Sequence, residues 1–183
     1  MTLWQADPRW STLMLGHGPA RIGRAGCLLT ILTEAARILA GRHGLLPPHA
    51  NEQLRQTPGA FVAAGTDIRG DSLVVEVAAR ALGMESPQSE RVDGDNEALR
   101  EAIEAALLRG LAILHVNHDD DISGDHFILA NGRGEGGTVE ALDPALARTV
   151  VLSWPELTAD VHWNKKPKHY TVVAVRPIRT VAS

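Results

Sequence analysis

One stretch of this chain decides both the course of the backbone and the chemistry to be expected of it: Ile22-Gly23-Arg24-Ala25-Gly26-Cys27-Leu28-Leu29-Thr30. The glycines indicate a turn directly before Cys27, and apolar residues recur after it at helical spacing to about Gly41. Unpaired backbone N–H groups and the positive end of the helix dipole gather in a first helical turn, where they favour thiolate over thiol. Cys27 is therefore a candidate nucleophile, with a small buried apolar residue as the alternative interpretation.

The composition describes a single compact domain over residues 1–183. Of the side chains, 44% are hydrophobic and 22% are charged, which is enough apolar material for a sizeable core. The net charge is −4 and no cluster of lysines and arginines forms a phosphate-binding stripe, so nucleic acid is not expected as a partner. One cysteine excludes an internal disulfide, a multi-cysteine zinc site and an iron–sulfur cluster. No cofactor is expected.

The amino terminus does not resemble a secretory signal. Residues 1–5 contain neither a basic region nor an apolar one, and no apolar run approaches the roughly 18 to 20 residues of a membrane helix. We therefore expect a protein without a membrane span that is made without a signal peptide. Such a protein would be cytoplasmic, or carried in a phage or another particle as a component of a larger assembly.

The order of the elements predicts an α+β domain, in which a helical N-terminal half packs on a C-terminal antiparallel sheet. Tryptophans around Asp7-Pro8 indicate an extended, anchored first segment. Pro47-Pro48 is expected to stop the first helix. Further helices are predicted at 51–55, at 71–82 with Asp71 or Gly70 near the cap, and from an Asp95 cap to Gly110. Strands are predicted at 111–116, 126–130, 138–142, 149–152 and 170–175.

A nucleophilic thiol needs a base, and His126 is the best placed of the eight histidines. It stands at the start of a strand directly after a tight turn, so it is both rigidly held and accessible. The others lie in solvated loops, in the interior of a strand or beside a strand end, where none is specially marked: His17, His43, His49, His115, His118, His162 and His169.

A catalytic imidazole also needs an acceptor for its second nitrogen, and Asp143 is a candidate. The strand that ends at Asp143 would pair with 126–130 as a hairpin across residues 131–136. Because a hairpin returns the chain antiparallel, the end of its second strand comes back beside the start of its first. Asp143 would then lie near His126. The alternative is that Asp143-Pro144 only begins a turn.

Four short motifs stand in a particular order around the cysteine: Gln5-Ala6-Asp7-Pro8-Arg9-Trp10, Gly26-Cys27, Gly124-Asp125-His126-Phe127 and Leu142-Asp143-Pro144. Together they resemble the papain-like cysteine peptidases related to the double-glycine leader peptidases of bacteriocin exporters, and in particular their stand-alone relatives. The order and spacing of the motifs agree over nearly the whole chain. The resemblance implies a papain-like fold and a thiol hydrolase of peptide or amide bonds.

The same resemblance implies a role for each of four residues. Cys27 would be the nucleophile, His126 the general base and then acid, and Asp143 the group that orients the imidazole. Gln5 would donate to the oxyanion together with the backbone N–H of Cys27. The chain departs from the family after the cysteine, where Leu28-Leu29 replaces a run of smaller residues beside the substrate cleft.

The acidic loop 117–125 offers a rival chemistry. Asp119, Asp121 and Ser123 have the spacing of the first half of a calcium-binding loop. The twelfth position, however, is Ala130 instead of a bidentate glutamate, and strands flank the loop. We expect no metal site, with a looser calcium site on these three residues as the weaker alternative to a solvated acidic turn.

Two questions about function stay open at the level of sequence. The substrate could be a peptide or protein, or the peptide part of a bacterial cell wall cut by a peptidoglycan hydrolase. Alternatively, the chain could be a catalytically silent papain-like module that uses its cleft for binding or assembly in a larger complex such as a phage particle. The presence of Gln5, Cys27, His126 and Asp143 together argues for the enzyme, since a silent module needs none of them.

Overall fold

The computed structural model describes residues 2–62, 70–118, 121–163 and 165–181, with the backbone alone for 121–125. Five α-helices lie in these ranges, and none of them is long and apolar enough to cross a membrane. They are α1 (Ile22–Ala25), α2 (Cys27–Leu39), α3 (Pro47–Arg55), α4 (Val75–Ala81) and α5 (Asn96–Leu107).

The strands form a large antiparallel sheet and one small ribbon. The ribbon pairs β1 (Phe61–Val62) with β2 (Ser72–Leu73). The eight strands of the sheet are β3 (Met84–Glu85), β4 (Val92–Asp93), β5 (Leu111–His118), β6 (Asp121–Arg133), β7 (Val139–Asp143), β8 (Arg148–Leu152), β9 (Thr158–Trp163) and β10 (Lys166–Thr180). Its order is β3-β10-β5-β6-β7-β8, with β4 and β9 also paired to the long strand β10. The structure is therefore α+β, as the sequence predicts.

Successive side chains along each strand point to opposite faces of the sheet. Both faces carry apolar residues, and each is covered by helices. On one face, Ile113 and Leu129 belong to a core that includes the buried side of α2. On the other, Leu114 and Ile128 belong to a second core with Leu99, Ile103 and Ala106 of α5. The helix that begins at Cys27 thus packs directly on the strand that carries His126.

Several predicted elements are confirmed. Helix α2 begins at Cys27 and continues to Leu39, close to the expected end at Gly41. Helix α5 has the predicted cap, because the Asp95 carboxylate accepts hydrogen bonds from the N–H groups of Glu97 and Ala98. The five predicted strands are all present, most of them longer than predicted.

The predicted helix at 71–82 starts too early. It begins at Val75, because Ser72 and Leu73 pair with β1 and the Val74 N–H donates to the Ala60 carbonyl. Asp71 is consequently not a cap. The apolar pattern of residues 71–82 is typical of a helix. The backbone N–H and C=O groups at its start, however, form hydrogen bonds with the segment around β1 instead of with the next helical turn.

One further boundary differs from prediction, and one long strand was not predicted. Helix α3 starts at Pro47, four residues before the predicted start, because proline suits the first helical turn, where its missing N–H is not needed. Strand β9 was not predicted. Its buried residues Ala159 and Val161 alternate with exposed Asp160 and His162, a period of two that would have revealed it.

Candidate active site

A cleft of about 450 Å³ lies between the start of α2 and the part of β6 that carries His126. The prediction that His126 begins a strand and is accessible is wrong, because pairing with β5 extends β6 back to Asp121 and the His126 side chain is buried. Gln5, Cys27 and His126 line it together, although they come from distant parts of the chain. Asp143 lies directly behind His126 and is fully buried. The structure therefore brings all four sequence-predicted site residues to one place.

His126 and Asp143 are joined by a hydrogen bond of 3.0 Å between Nε2 and Oδ1. The predicted hairpin accounts for this contact. Leu129 of β6 pairs with Leu142 of β7, so Asp143 continues the register opposite Ile128, two residues from His126 and within side-chain reach of it. With Nε2 engaged by the carboxylate, Nδ1 is the ring nitrogen left to face another group.

Several donors hold the Asp143 carboxylate in its charged form. Besides His126, the N–H of Ala145 donates to Oδ1 at 2.8 Å and the Tyr170 hydroxyl donates to Oδ2 at 2.9 Å. Burial by itself would raise the pKa of Asp143. The hydrogen bond and positive charge of His126, followed by the donors from Ala145 and Tyr170, outweigh it and lower the pKa.

The imidazole of His126 is only 2% exposed and lies against the rings of Trp163 and Tyr170, with centroid distances of 5.4 and 5.7 Å. Burial opposes protonation of the ring. Hydrogen bonds to Asp143 and to the Cys27 thiol, together with the negative charges of both partners, overcome that effect and raise the pKa of His126 to about 9. His126 thus holds a proton readily while it faces the thiol.

Cys27 occupies the first position of α2, and no side chain caps this helix. Its N–H and those of the next residues therefore have no acceptor within the helix. The turn before it needs a glycine, since a Cβ on Gly26 would lie 2.4 Å from the Ile22 carbonyl oxygen. Leu29 is buried in the core, whereas Leu28 lines the cleft, so one of the two bulky residues after Cys27 shapes the cleft wall.

Gln5 is held at the cleft from both ends. Its backbone N–H donates at 2.9 Å to the carbonyl of Pro144, the residue that follows Asp143. Its side-chain Nε2 donates to the Gly23 carbonyl at 3.3 Å. Buried Trp10 anchors the segment through a 2.9 Å hydrogen bond from its indole to the Trp4 carbonyl. The N-terminal segment is therefore anchored as predicted, but it is not extended, because residues 5–6 and 8–12 form turns closed by backbone hydrogen bonds. It places a side-chain amide in the same cleft as the thiol.

Sequence reasoning missed two residues that enclose the imidazole, Tyr170 and Trp163. Tyr170 is the only tyrosine in the chain, and it stands near the start of the longest strand. A buried phenol needs a hydrogen-bond partner, which could have pointed to a buried acceptor such as Asp143. Burial, followed by the negative charge of Asp143, raises the pKa of Tyr170, so it remains a donor.

The alternative metal chemistry finds no support in the described part of the chain. No group of three or more histidine, cysteine, aspartate or glutamate residues there could hold a metal ion. Asp119 lies outside the described residues, and the side chains of Asp121 and Ser123 are likewise not described. Of the other histidines, His169 forms an exposed ion pair with Asp160 and His115 stacks on Phe127.

No protein-family model, curated protein sequence or solved structure matches this chain significantly. The interpretation of the site therefore rests on its residues and geometry.

Proposed function

We propose that this protein is a papain-like cysteine hydrolase that cleaves an amide bond in a peptide substrate through a Cys27–His126–Asp143 triad. The observation that carries the proposal is the buried His126, bonded to Asp143 through Nε2 at 3.0 Å and lining the same cleft as Cys27. A nucleophile, a base and an orienting carboxylate gathered in this way are what acyl transfer requires. The helix carrying Cys27 and the antiparallel sheet carrying the other two are consistent with the proposed papain-like arrangement.

The reaction begins from the pair in which His126 holds the proton, and the Cys27 thiolate attacks the carbonyl carbon of the substrate. The C–S bond forms and the carbonyl electrons move to oxygen, giving a tetrahedral oxyanion. When the carbonyl reforms, the C–N bond breaks and the leaving amine takes its proton from His126. Water then attacks the thioester carbon as the neutral imidazole accepts its proton. When the carbonyl reforms again, the C–S bond breaks and the thiolate beside the protonated His126 is restored. The products are an amine, a carboxylic acid and the free enzyme.

Two donors are available for the oxyanion. The Cys27 N–H has no acceptor within its helix, and the Gln5 amide carries two N–H groups, of which the Gly23 carbonyl can occupy one. Both lie on walls of the same cleft as the thiol. Donors fixed in place before the reaction stabilise the oxyanion without reorganising, which is the largest contribution in many acyl-transfer enzymes.

The test of the proposed function compares the wild type with Cys27→Ala on a mixed peptide library and on isolated cell-wall stem peptides. We expect cleavage by the wild type and none by Cys27→Ala, because no acyl-enzyme can form. A mass increase matching an acyl group on Cys27 during turnover would identify the intermediate. Equal product from both proteins would show that the thiol is not the nucleophile, and binding without cleavage by both would leave the silent module as the function.

The oxyanion role of Gln5 predicts a selective defect in Gln5→Ala. Loss of one donor is expected to lower kcat by about 10²–10³ with little change in KM. Alkylation of Cys27 by iodoacetamide displaces iodide at a saturated carbon and forms no oxyanion, so its rate should be the same in both proteins. Parallel loss of turnover and alkylation would instead mean that Gln5 only supports the local structure.

A further inference from the structure

A second cavity, of about 250 Å³, adjoins the catalytic cleft. Leu28 and Phe127 line both spaces. In the sequence, Leu28 directly follows Cys27 and Phe127 directly follows His126. The cavity wall thus includes the next residue along the chain from each proposed reacting group. Liquid water takes about 30 Å³ a molecule, so the volume accommodates one amino-acid side chain with a few waters.

The polar wall of this cavity is formed by a buried arginine. Arg176 is 8% exposed, and its Nε is buried without a hydrogen-bond partner. Among the described residues, the guanidinium donates only to the neutral amide of Gln88, and no carboxylate ion-pairs with it. Burial, followed by repulsion from Arg91, lowers the pKa of Arg176, while attraction to Glu76 opposes this weakly.

A buried charge without a partner is an expensive arrangement. Removing a charged group from water costs free energy that proteins ordinarily offset with a counter-charge. Arg91, which also lines the cavity, has such a counter-charge in Asp93, with Nη2 to Oδ1 at 2.5 Å. Arg176 is thus a buried cation that contacts no carboxylate of the described residues, and it lines a space large enough for a ligand.

We propose that this cavity is a specificity pocket that binds a carboxylate of the substrate to Arg176, beside the amide bond attacked by Cys27. The inference rests on the proposed function, because it names the class of peptide that the cleft accepts. Apolar residues of the cavity, Leu73, Ile113 and Val175, would contact the aliphatic part of an acidic residue. A neutral amide in the same place could accept a hydrogen bond but would leave the guanidinium charge without a counter-charge, so the pocket discriminates by charge rather than by size.

Three matched alkylating peptides test the pocket. Iodoacetyl-glutamic acid α-amide carries a side-chain carboxylate, iodoacetyl-glutamine carries only the terminal carboxylate, and iodoacetyl-glutamine amide carries neither. In the wild type, we expect at least one acidic reagent to alkylate Cys27 about 10- to 100-fold faster than the neutral one, as charge-assisted hydrogen bonds require. Which acidic reagent is faster distinguishes a side-chain carboxylate from a terminal one.

Arg176→Met should abolish this preference while the rate with the neutral reagent stays the same. Arg24→Met is the matched control, because Arg24 is an exposed arginine on the wall of the cleft and its loss removes the same charge. Screening by solvent should make its effect on the preference small. Equal loss of preference in both variants, or no preference in the wild type, would overturn the pocket while leaving the proposed function intact.

A second measurement tests the pocket independently of the thiol. At millimolar concentrations, at least one of the two acidic compounds, acetyl-glutamic acid α-amide and acetyl-glutamine, should raise the Tm of the wild type. The neutral compound, acetyl-glutamine amide, should not. Arg176→Met should lose the increase and should have an unchanged or higher Tm without additive, because an uncompensated buried charge is removed. If Cys27 resists all reagents but this shift is present, the proposed hydrolase fails and the carboxylate site stands. Absence of the shift in the wild type overturns the site.

Discussion

Cys27 of the wild type is expected to be alkylated by iodoacetamide faster at about pH 6 than an ordinary thiol, whose alkylation rate falls about tenfold for each pH unit below about 8.5. The physical reason is the position of Cys27 at the start of α2 and the His126 imidazole in the same cleft, since a helix N-terminus and a neighbouring imidazolium both stabilise a thiolate. Intact mass gives the rate directly, because Cys27 is the only cysteine.

In His126→Ala the rate should fall at least tenfold at pH 6 and recover only as the pH approaches the ordinary range of thiols. His169→Ala is the matched control, since His169 also bonds to a carboxylate, that of Asp160, but on the surface. Its profile should coincide with that of the wild type. A Cys27 that titrates like a free thiol in both the wild type and His126→Ala would end the assignment of Cys27 as the nucleophile.

Asp143→Ala is expected to have the largest effect on stability, about 3–5 kcal/mol, as typically follows when one partner of a buried charged pair is removed. Four donors lose their acceptor together: the His126 ring, the Tyr170 hydroxyl and the N–H groups of Ala145 and Leu146. His126 and Tyr170 are themselves buried, so their donors cannot turn to water without rearranging the site. Urea unfolding measures the loss, provided that the slope of the transition is unchanged.

Asp160→Ala supplies the matched control for this stability effect. Like Asp143→Ala, it removes a carboxylate that is bonded to a histidine, but the Asp160–His169 pair is exposed. Exposed pairs contribute little, so the unfolding midpoint should hardly move. Similar losses in the two variants would mean that burial of the Asp143 pair does not matter for stability.

The same pair should make stability depend on pH in two ranges. The pKa of Asp143 is lowered in the folded protein, so its contribution is complete above its ordinary pKa of about 3.9 and is lost as the pH falls through the folded value. The pKa of His126 is raised to about 9, so its contribution is complete below about 6.5 and is lost as the pH rises through 9. In Asp143→Asn both slopes should be shallower. Unfolding curves from pH 3 to 10 that match the wild type in shape would contradict this.

Turnover by Asp143→Asn separates positioning from folding. The amide is similar in size to the carboxylate, and its oxygen can still accept from Nε2–H, as in the Cys-His-Asn triads, but it carries no negative charge to stabilise the imidazolium. We expect kcat to fall in Asp143→Asn and to fall further in Asp143→Ala, which loses the acceptor as well. Wild-type turnover in both folded variants would show that Asp143 is structural only.

The structure also shows where local sequence signals were sufficient. The helix that starts at Cys27 and the Asp95 cap were predictable, because each depends on residues within a few positions of itself. The hairpin between β6 and β7 was predictable for the same reason, since its two strands follow each other in the chain. By contrast, the start of α4 at Val75 was not, because it depends on the pairing of β2 with a separate segment.

The sequence by itself determined the α+β class, the placement of Cys27 at a helix start and the candidates Gln5, His126 and Asp143, since all of these follow from local patterns and short motifs. Only the tertiary structure decided that Tyr170 donates to Asp143 and that Arg176 is buried beside the cleft. Both residues lie on β10, far along the chain from Cys27. Their surroundings come from strand pairing and helix packing between distant segments, and burial and charge compensation are properties of that packing.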